Sequence, residues 1–429
     1  MPSHHAATLD RTQLAAFQIE RLQSLLVEIL PANQFYQQKF AQSGMDASSV
    51  HTLQDLQQLP FTTKQELLED QKAHPRFGTL LTYPLAKYCR YHQTSGTTGS
   101  PLRWLDTVES WQWMLDCWRQ IFTITGVQAE DRLFFPFSFG PFLGFWTAFE
   151  AAEQHGCLLL PGGGLSTVAR LNFLLENEAT VVLCTPTYAL HLAQVAAENS
   201  INLVDSQVWA LIVAGEPGGN IPTTRAAIEA AWGARVFDHS GLTEVGPLTI
   251  ESPDSPGGLY ILEGDYCAEI IDPDTGENLG FEAQGELVVT NLGRWGSPLI
   301  RYRTGDLVRG RIKPETGLNF LWLEGGILGR SDDLIYLRGN NVYPSAIEAI
   351  IREFPEIIEF RIEVDETGPL ADLRIEIEPS QVERGSLLAK EIATVFRDRL
   401  FFRADVHPVA PESLPRFEMK ARRLVRKKR

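Results

Sequence analysis

Cysteine is scarce in this chain. Only five residues are cysteines, and they are scattered without any C-x-x-C pair: Cys89, Cys117, Cys157, Cys184 and Cys267. Disulfide-stapled domains and cysteine-rich metal knuckles need several closely spaced cysteines. The sequence therefore argues against both classes and is typical of a protein of the reducing cytoplasm.

The sequence also lacks a long apolar run and an excess of basic residues. Its most apolar stretch, residues 133–146, is interrupted by Pro136 and Pro141 and is shorter than the roughly 20 residues of a spanning helix. The first residues do not read as a signal peptide. The formal net charge of −16 repels nucleic acid and anionic membranes. We expect a cytoplasmic protein with no nucleic-acid or membrane partner.

What the chain does contain is the composition of an ordinary globular protein, with 44% apolar and 21% charged residues. Because single cores stop growing near roughly 250–300 residues, a chain of 429 residues predicts two domains. The residue pattern changes after residue 330. We therefore predict a large domain at residues 1–330 and a small one at residues 331–429.

Residue patterns predict an α/β fold for the large domain. Residues 11–44 have helical spacing, and Thr62 is a candidate N-cap. Between residues 88 and 240, short β-rich runs alternate with helix-like stretches, which predicts a parallel sheet flanked by helices. The runs are Tyr88–Gln93, Arg132–Phe135, Cys157–Leu160, Thr180–Cys184, Val208–Ala214 and Arg235–Asp238.

Beyond residue 257 the helical spacing disappears, and strands such as Tyr266–Ile271 and Glu286–Thr290 predict an antiparallel β subdomain. The last hundred residues predict a compact α+β unit. Its predicted elements are a helix after Pro344, a helix at Leu387–Leu400, and strands at Leu334–Leu337, Ile357–Val364, Leu370–Glu378 and Asp405–Val409.

A loop crowded with glycines and hydroxyls follows the first β-rich run. Residues 94–101 read TSGTTGSP. Glycines allow several N–H groups to turn inward, and hydroxyls add donors, so such a loop suits a triphosphate. It is not a Walker loop, and taken alone it is equally an ordinary turn. The candidate phosphate ligands are Ser95, Gly96, Thr97, Thr98 and Gly99.

Three further runs follow in order: HSGLTE at 239–244, YRTGDL at 302–307 and GRSDDL at 329–334. With the glycine loop, they resemble the adenylate-forming acyl-CoA synthetase superfamily. The short chain, LPFTTK at 59–64 and RGNNVYPSAIE at 338–348 are most similar to the phenylacetate–CoA ligase family. The resemblance implies a large AMP-binding domain with a small mobile lid. It also implies an ATP-dependent carboxylic acid–CoA ligase that forms an acyl-adenylate.

The resemblance assigns roles to individual residues of the large domain. Glu244 would hold Mg²⁺, which prefers oxygen ligands, next to a catalytic Thr243. Asp306 would accept hydrogen bonds from the ribose hydroxyls. Each of these carboxylates could equally be a surface or turn residue. The remaining implied ATP/AMP-binding residues are Gly215, Glu216, Pro217, Asp238, His239, Ser240, Gly241 and Arg330.

Three implied residues lie in the small domain. The run LPRFEMK at 414–420 resembles the family's catalytic-lysine segment, so Lys420 would be the catalytic lysine. A cation bridging the carboxylate and the α-phosphate stabilises the charge that gathers there in the transition state. Asp332 would be the hinge of the lid, and Gly339 would leave space for coenzyme A. Otherwise Lys420 would be a solvated tail residue and Gly339 a turn.

The acid-binding pocket is the least specified part of the site. Aromatic residues between 134 and 146 would accommodate an aryl or medium-chain acid, or they are simply core. The candidates are Phe137, Phe139, Phe142 and Tyr188.

The sequence departs from the family pattern at three points. Ser240 stands where many relatives have a tyrosine that packs on the nucleotide. No lysine lies in or just after the glycine loop, so Arg103 or backbone amides would meet the phosphates. Residues 319–324 read NFLWLE, where relatives often carry a Cys-x-Cys pair of a zinc site. We expect no zinc.

Two other functions stay open at this point. An adenylating enzyme that passes its acyl group to a carrier-protein thiol or an amine would use the same first-step residues. A non-catalytic nucleotide- or acyl-binding relative is the second alternative. Similar ligases also suggest a homodimer.

Overall fold

The computed structural model describes residues 3–44, 49–94, 100–313, 316–331, 335–337, 340–365, 372–400, 402, 404–417, 421 and 423–427. The glycine loop at 95–99, Asp332, Gly339 and Lys420 lie outside the described residues.

Eleven helices lie in the described part of the chain. They are α1 Arg11–Ile29, α2 Gln34–Ser43, α3 Leu53–Leu56, α4 Lys64–Ala73, α5 Val108–Thr125, α6 Trp146–His155, α7 Thr167–Glu176, α8 Pro186–Glu198, α9 Pro222–Trp232, α10 Pro344–Ile351 and α11 Gly385–Leu400.

The strands, again within the described ranges, are β1 Tyr88–Gln93, β2 Arg103–Thr107, β3 Arg132–Phe135, β4 Leu158–Pro161, β5 Val181–Cys184, β6 Ala210–Val213, β7 Arg235–Asp238, β8 Gly241–Leu242, β9 Gly246–Pro247, β10 Thr249–Ser252, β11 Ser255–Ile261, β12 Tyr266–Ile271, β13 Gln284–Asn291, β14 Tyr302–Ile312, β15 Leu321–Glu324, β16 Gly329–Arg330, β17 Ile335–Leu337, β18 Asn340–Val342, β19 Ile357–Asp365, β20 Asp372–Pro379, β21 Asp405–Pro408 and β22 Leu424–Lys427.

A parallel sheet forms the centre of the large domain, as the alternating pattern predicts. Its strand order is β4-β3-β5-β6-β7, and every pair is parallel. The first predicted run, β1, differs, because it pairs antiparallel with β2. The connection between them, residues 94–102, is too short for a parallel crossover, which needs a dozen or more residues.

Two other sheets complete the architecture. The predicted antiparallel subdomain is a seven-stranded sheet in the order β10-β11-β15-β14-β13-β12, with β16 on β14. The C-terminal unit has the sheet β21-β20-β19-β22, and its core includes Ile347 and Ile351 of α10 and Phe396 of α11. This core is separate from the main core. The exact boundary at residues 330/331 stays a prediction.

No helix among the described residues is both long enough and apolar enough to cross a membrane.

The N-cap of α4 is Thr63, and not Thr62 as the sequence suggests. The Thr63 hydroxyl accepts a hydrogen bond from the backbone N–H of Glu66, whose carboxylate accepts one from the N–H of Thr63. Thr62 is buried, and its hydroxyl donates to the carbonyl of Ile300 at 2.8 Å. Both threonines look equivalent in the sequence, and long-range contacts separate them: Thr62 also exchanges backbone hydrogen bonds with Arg301 and Arg303.

We predict that Thr63→Ala lowers the free energy of unfolding by about 1 kcal/mol, because the N–H of Glu66 in the first turn loses its acceptor. Chemical denaturation followed by circular dichroism measures the change. Thr63→Ser keeps the hydroxyl and serves as the control. An equal loss in both variants would contradict the capping role.

Candidate active site

A cavity of about 510 Å³ lies at the carboxyl ends of the parallel strands. The residues that follow β3, β5, β6 and β7 all line it: Pro136, Thr185, Ala214 and His239. Parallel strands bring their carboxyl ends to one edge of a sheet, and ligands of open α/β sheets bind there. The topology therefore places a binding site where four separate segments meet.

Seven of the residues singled out from the sequence line this cavity. They are Phe137, Phe142, Tyr188, Gly215, His239, Gly241 and Thr243. The lining is otherwise mainly apolar and includes Trp118, Leu143 and Phe145. Phe139 does not line the cavity, because its ring packs against Phe137 at 4.6 Å and Trp146 at 4.5 Å between ring centroids.

Tyr188 is fixed by a buried arginine. Arg170, in α7, donates a 2.6 Å hydrogen bond to the Tyr188 hydroxyl and another from Nε to the carbonyl of Gly162. The tyrosine lies in the first turn of α8, which Thr185 caps. Its ring is therefore held as a rigid wall of the cavity.

Glu244 follows the cavity residue Thr243 and is buried. Its Oε1 accepts a 2.8 Å hydrogen bond from the Tyr302 hydroxyl. Burial, and then the negative charge of Glu244, raise the pKa of Tyr302 well above its usual value, so this hydroxyl stays a donor. Among the described residues, the second carboxylate oxygen accepts no hydrogen bond.

Arg294 holds the backbone of this motif. Its Nη1 donates to the carbonyls of Thr243 at 2.8 Å and Glu244 at 3.0 Å. Its Nε and Nη2 donate to the two oxygens of Asp106 at 2.6 and 2.7 Å. Both side chains are fully buried. The pair thus connects β2, which follows the glycine loop, to the Thr243–Glu244 segment.

Asp306 and Arg330 face each other on β14 and β16. Arg330 Nη1 donates to Asp306 Oδ1 at 3.1 Å and to the carbonyl of Thr304 at 3.2 Å. Gly305, the residue before Asp306, has φ +75°, and a Cβ there would lie 2.8 Å from Arg330 Nη2. Only glycine allows this close approach.

Asp238 ends β7 and lies beside a second carboxylate. Its Oδ2 accepts from Asn220 at 2.5 Å, and Glu251 accepts from its backbone N–H. Burial, and then the negative charge of Glu251, raise the pKa of Asp238 to about 7. A Cβ at Gly219 would lie 2.4 Å from Oδ1, so the carboxylate packs directly on backbone.

Glu216 joins the two domains. Its Oε1 accepts from the backbone N–H of Thr187 at 2.9 Å, and its Oε2 accepts from that of Ala421 at 2.6 Å. Nearby, Arg423 donates to the Thr187 hydroxyl at 3.1 Å and to Glu359 at 2.6 Å. The segment that immediately follows Lys420 is therefore bound at the N-terminus of α8. We call these contacts of Glu216, Thr187, Ala421 and Arg423 the tail latch.

The remaining predicted nucleotide residues, Pro217 and Ser240, lie in the turns after β6 and β7 but do not line the cavity. No sequence pattern indicated Arg294, Asp106 or Trp118. Arg294 and Asp106 are 188 residues apart, and no local pattern marks either of them.

Comparison with known proteins identifies relatives across the whole chain. The AMP-binding enzyme C-terminal domain matches residues 339–428. Phenylacetate-coenzyme A ligase of Aromatoleum evansii is 31% identical over 97% of this chain and 95% of its own length. The enzyme of the same name from Escherichia coli (strain K12) is 30% identical, again over 97% and 95%.

Solved structures of 2-hydroxyisobutyryl-CoA ligase share the fold. One in the postadenylation state, with R3-HIB-AMP, has a TM-score of 0.93 at 27% identity and covers 99% of this chain and 92% of its own. One in the thioesterification state, with 2-HIB-AMP and CoA, has a TM-score of 0.75 at 28% identity and covers 98% and 91%. The domain arrangement described above thus resembles the postadenylation state more than the thioesterification state.

The fold, the cavity and these relatives define an AMP-forming acid–thiol ligase, which uses ATP to make an acyl-adenylate and transfers the acyl group to coenzyme A. The chain belongs to the phenylacetate–CoA ligase family. The sequence-based predictions of fold class, family, ATP and coenzyme A are confirmed.

We predict that Arg294→Met lowers the free energy of unfolding by about 3–5 kcal/mol, because it leaves the Asp106 carboxylate buried without a partner. Denaturant titration of the purified variant measures the loss. The double variant Arg294→Met/Asp106→Leu removes both charges and should recover most of it. A single variant as stable as the wild type would show that the pair contributes little.

Proposed function

We propose that the acid substrate is an aryl or similarly apolar carboxylic acid, phenylacetate-like in size. The supporting observation is the cavity at the strand ends, which is walled by Trp118, Phe137, Phe145 and Tyr188. Its volume of about 510 Å³ is in the range of small-molecule sites. The family relatives named phenylacetate-coenzyme A ligase point to the same chemistry.

In the proposed first step, an oxygen of the acid's carboxylate attacks the α-phosphorus of ATP, and pyrophosphate leaves. Asp306 accepts from the ribose hydroxyls, and the Asp238 and Gly215 turns face adenine. The glycine loop at 95–99 and Thr243 bind phosphate oxygens. Lys420 neutralises charge between the carboxylate and the phosphate. Glu244 directly follows the cavity residue Thr243 and accepts a hydrogen bond from Tyr302, on the same strand as Asp306, which supports this arrangement.

Mg²⁺ is also part of this proposal, with Glu244 as its protein ligand. The described residues contain no cluster of three or more His, Cys, Asp or Glu that could hold a metal. One buried carboxylate fits an ion that takes its other oxygens from phosphates and water. When bound, the ion would neutralise phosphate charge. Three expectations stay predictions: that the protein holds no zinc, that it forms a homodimer, and that it is located in the cytoplasm.

In the proposed second step, the small domain rotates about Asp332, which withdraws Lys420 and brings Gly339 to the site. The thiol of coenzyme A then releases its proton to solvent, and its sulfur attacks the acyl carbonyl carbon. The C–S bond forms, and AMP leaves with the electron pair of the broken C–O bond. The tail latch must open for this rotation, because it joins Ala421 to the large domain.

A pyrophosphate-release assay over aryl, branched and linear acids, with and without coenzyme A, tests the function. We expect pyrophosphate with an aryl acid and a thioester only when coenzyme A is present. Lys420→Ala should slow pyrophosphate release by roughly 10²–10³-fold, since a charge-stabilising group is lost. Pyrophosphate without thioester, but with acylation of a carrier-protein thiol or an amine, would favour that alternative. Unchanged release by Lys420→Ala would contradict the assigned role.

Opening the tail latch should affect the two half-reactions unequally. Glu216→Ala removes the acceptor of the Ala421 N–H, so we expect roughly tenfold slower adenylation. Thioester formation from pre-made acyl-adenylate should change little, because the latch is open in that step. Single-turnover assays of each half-reaction measure the two rates. Glu130→Ala, at an exposed position away from the cavity, is the control, and equal slowing of both steps in Glu216→Ala would argue against the latch.

A further inference from the structure

His239 lines the apolar cavity and is 6% exposed. Within the described residues, its Nδ1 has a hydrogen-bond partner in the protein and its Nε2 has none. An unpaired polar group in an apolar site is unfavourable, so such a group commonly indicates a polar partner in the bound molecule.

The hydrogen bonding of His239 determines which nitrogen is available. Its Nδ1 lies 2.5 Å from the carbonyl oxygen of Thr249, so Nδ1 must carry the proton and donate it. The ring also packs on Trp118, with 4.6 Å between centroids. Burial lowers the pKa of His239 to about 4, so the ring is neutral at physiological pH. Nε2, on the opposite edge of the ring, is therefore a fixed acceptor.

The charge of the cavity wall restricts what can donate to this acceptor. No Asp, Glu, Lys or Arg lines the cavity within the described part of the chain. An ammonium group would enter without a counter-charge and lose its hydration, whereas a hydroxyl carries no such cost. The acceptor therefore suits a neutral donor.

We propose that the acid substrate carries a hydroxyl group on its side chain, and that His239 Nε2 accepts a hydrogen bond from it. This inference rests on the proposed function, and it changes the substrate from a plain apolar acid to a hydroxylated one. His239 is then a specificity-determining residue, and it need not contact the nucleotide.

The test compares kcat/KM for pairs of acids that differ by one hydroxyl. Suitable pairs are phenylacetate with its 2-, 3- and 4-hydroxy derivatives and with mandelate, and isobutyrate with 2-hydroxyisobutyrate. For at least one pair, we expect the wild type to prefer the hydroxylated acid by roughly tenfold or more. His239→Leu should reduce that ratio to about one. The ratio within one preparation does not depend on how much of the variant is folded.

Two further measurements make the result specific. His92→Leu removes another buried histidine, which stacks on Trp111 and does not line the cavity, and it should leave the ratio at its wild-type value. The KM for ATP is measured for each variant. If His239→Leu raises that KM and leaves the acid ratio unchanged, His239 contacts the nucleotide and the inference is wrong.

The inference is also wrong if the wild type activates both acids of every pair equally. Failure of the proposed function itself gives a different result, because then no acid of the panel releases pyrophosphate.

Discussion

The buried guanidinium of Arg294 is the interaction on which the arrangement of the site depends. It forms a two-oxygen ion pair with Asp106 on β2 and donates to two consecutive carbonyls at Thr243 and Glu244. A fully buried charge is tolerated only when its donors are satisfied, and here Nε, Nη1 and Nη2 all donate hydrogen bonds. One side chain thereby fixes the distance between the strand that follows the glycine loop and the segment that carries the carboxylate.

The cavity follows from the sheet topology and from one short segment of aromatic residues. Four parallel strands end at the same edge, and the loops that follow them supply both small residues and rings. The small residues Ala214 and Gly215 leave room, while Trp118, Phe137 and Phe145 exclude water. In such a wall, a neutral histidine whose Nδ1 is already bonded offers one hydrogen-bond acceptor in a fixed direction. That acceptor contributes more to the choice between acid substrates than to the strength of their binding.

The contact between the domains explains how one chain carries out two chemical steps. Glu216 accepts from backbone N–H groups on both sides of the interface, and Arg423 adds a contact from the tail to Thr187. These contacts are few and polar, so they can be exchanged for others at small cost. The structure is more similar to the postadenylation state of 2-hydroxyisobutyryl-CoA ligase than to its thioesterification state. This agrees with a tail latch that is closed in the first state and open in the second.

The sequence by itself determined the family, the fold class and the order of the elements, because the glycine loop, the TGD run and the strand periodicity are local patterns. It misassigned the N-cap of α4, because Thr62 is set apart from Thr63 by long-range contacts to residues 300–303. It also misassigned β1, which pairs with β2 across a short connection and not with the parallel sheet. It did not indicate Arg294 or the acceptor role of His239. Those depend on residues far apart in the chain, such as Asp106 and Thr249, and only the tertiary structure brings their buried polar groups within hydrogen-bonding distance.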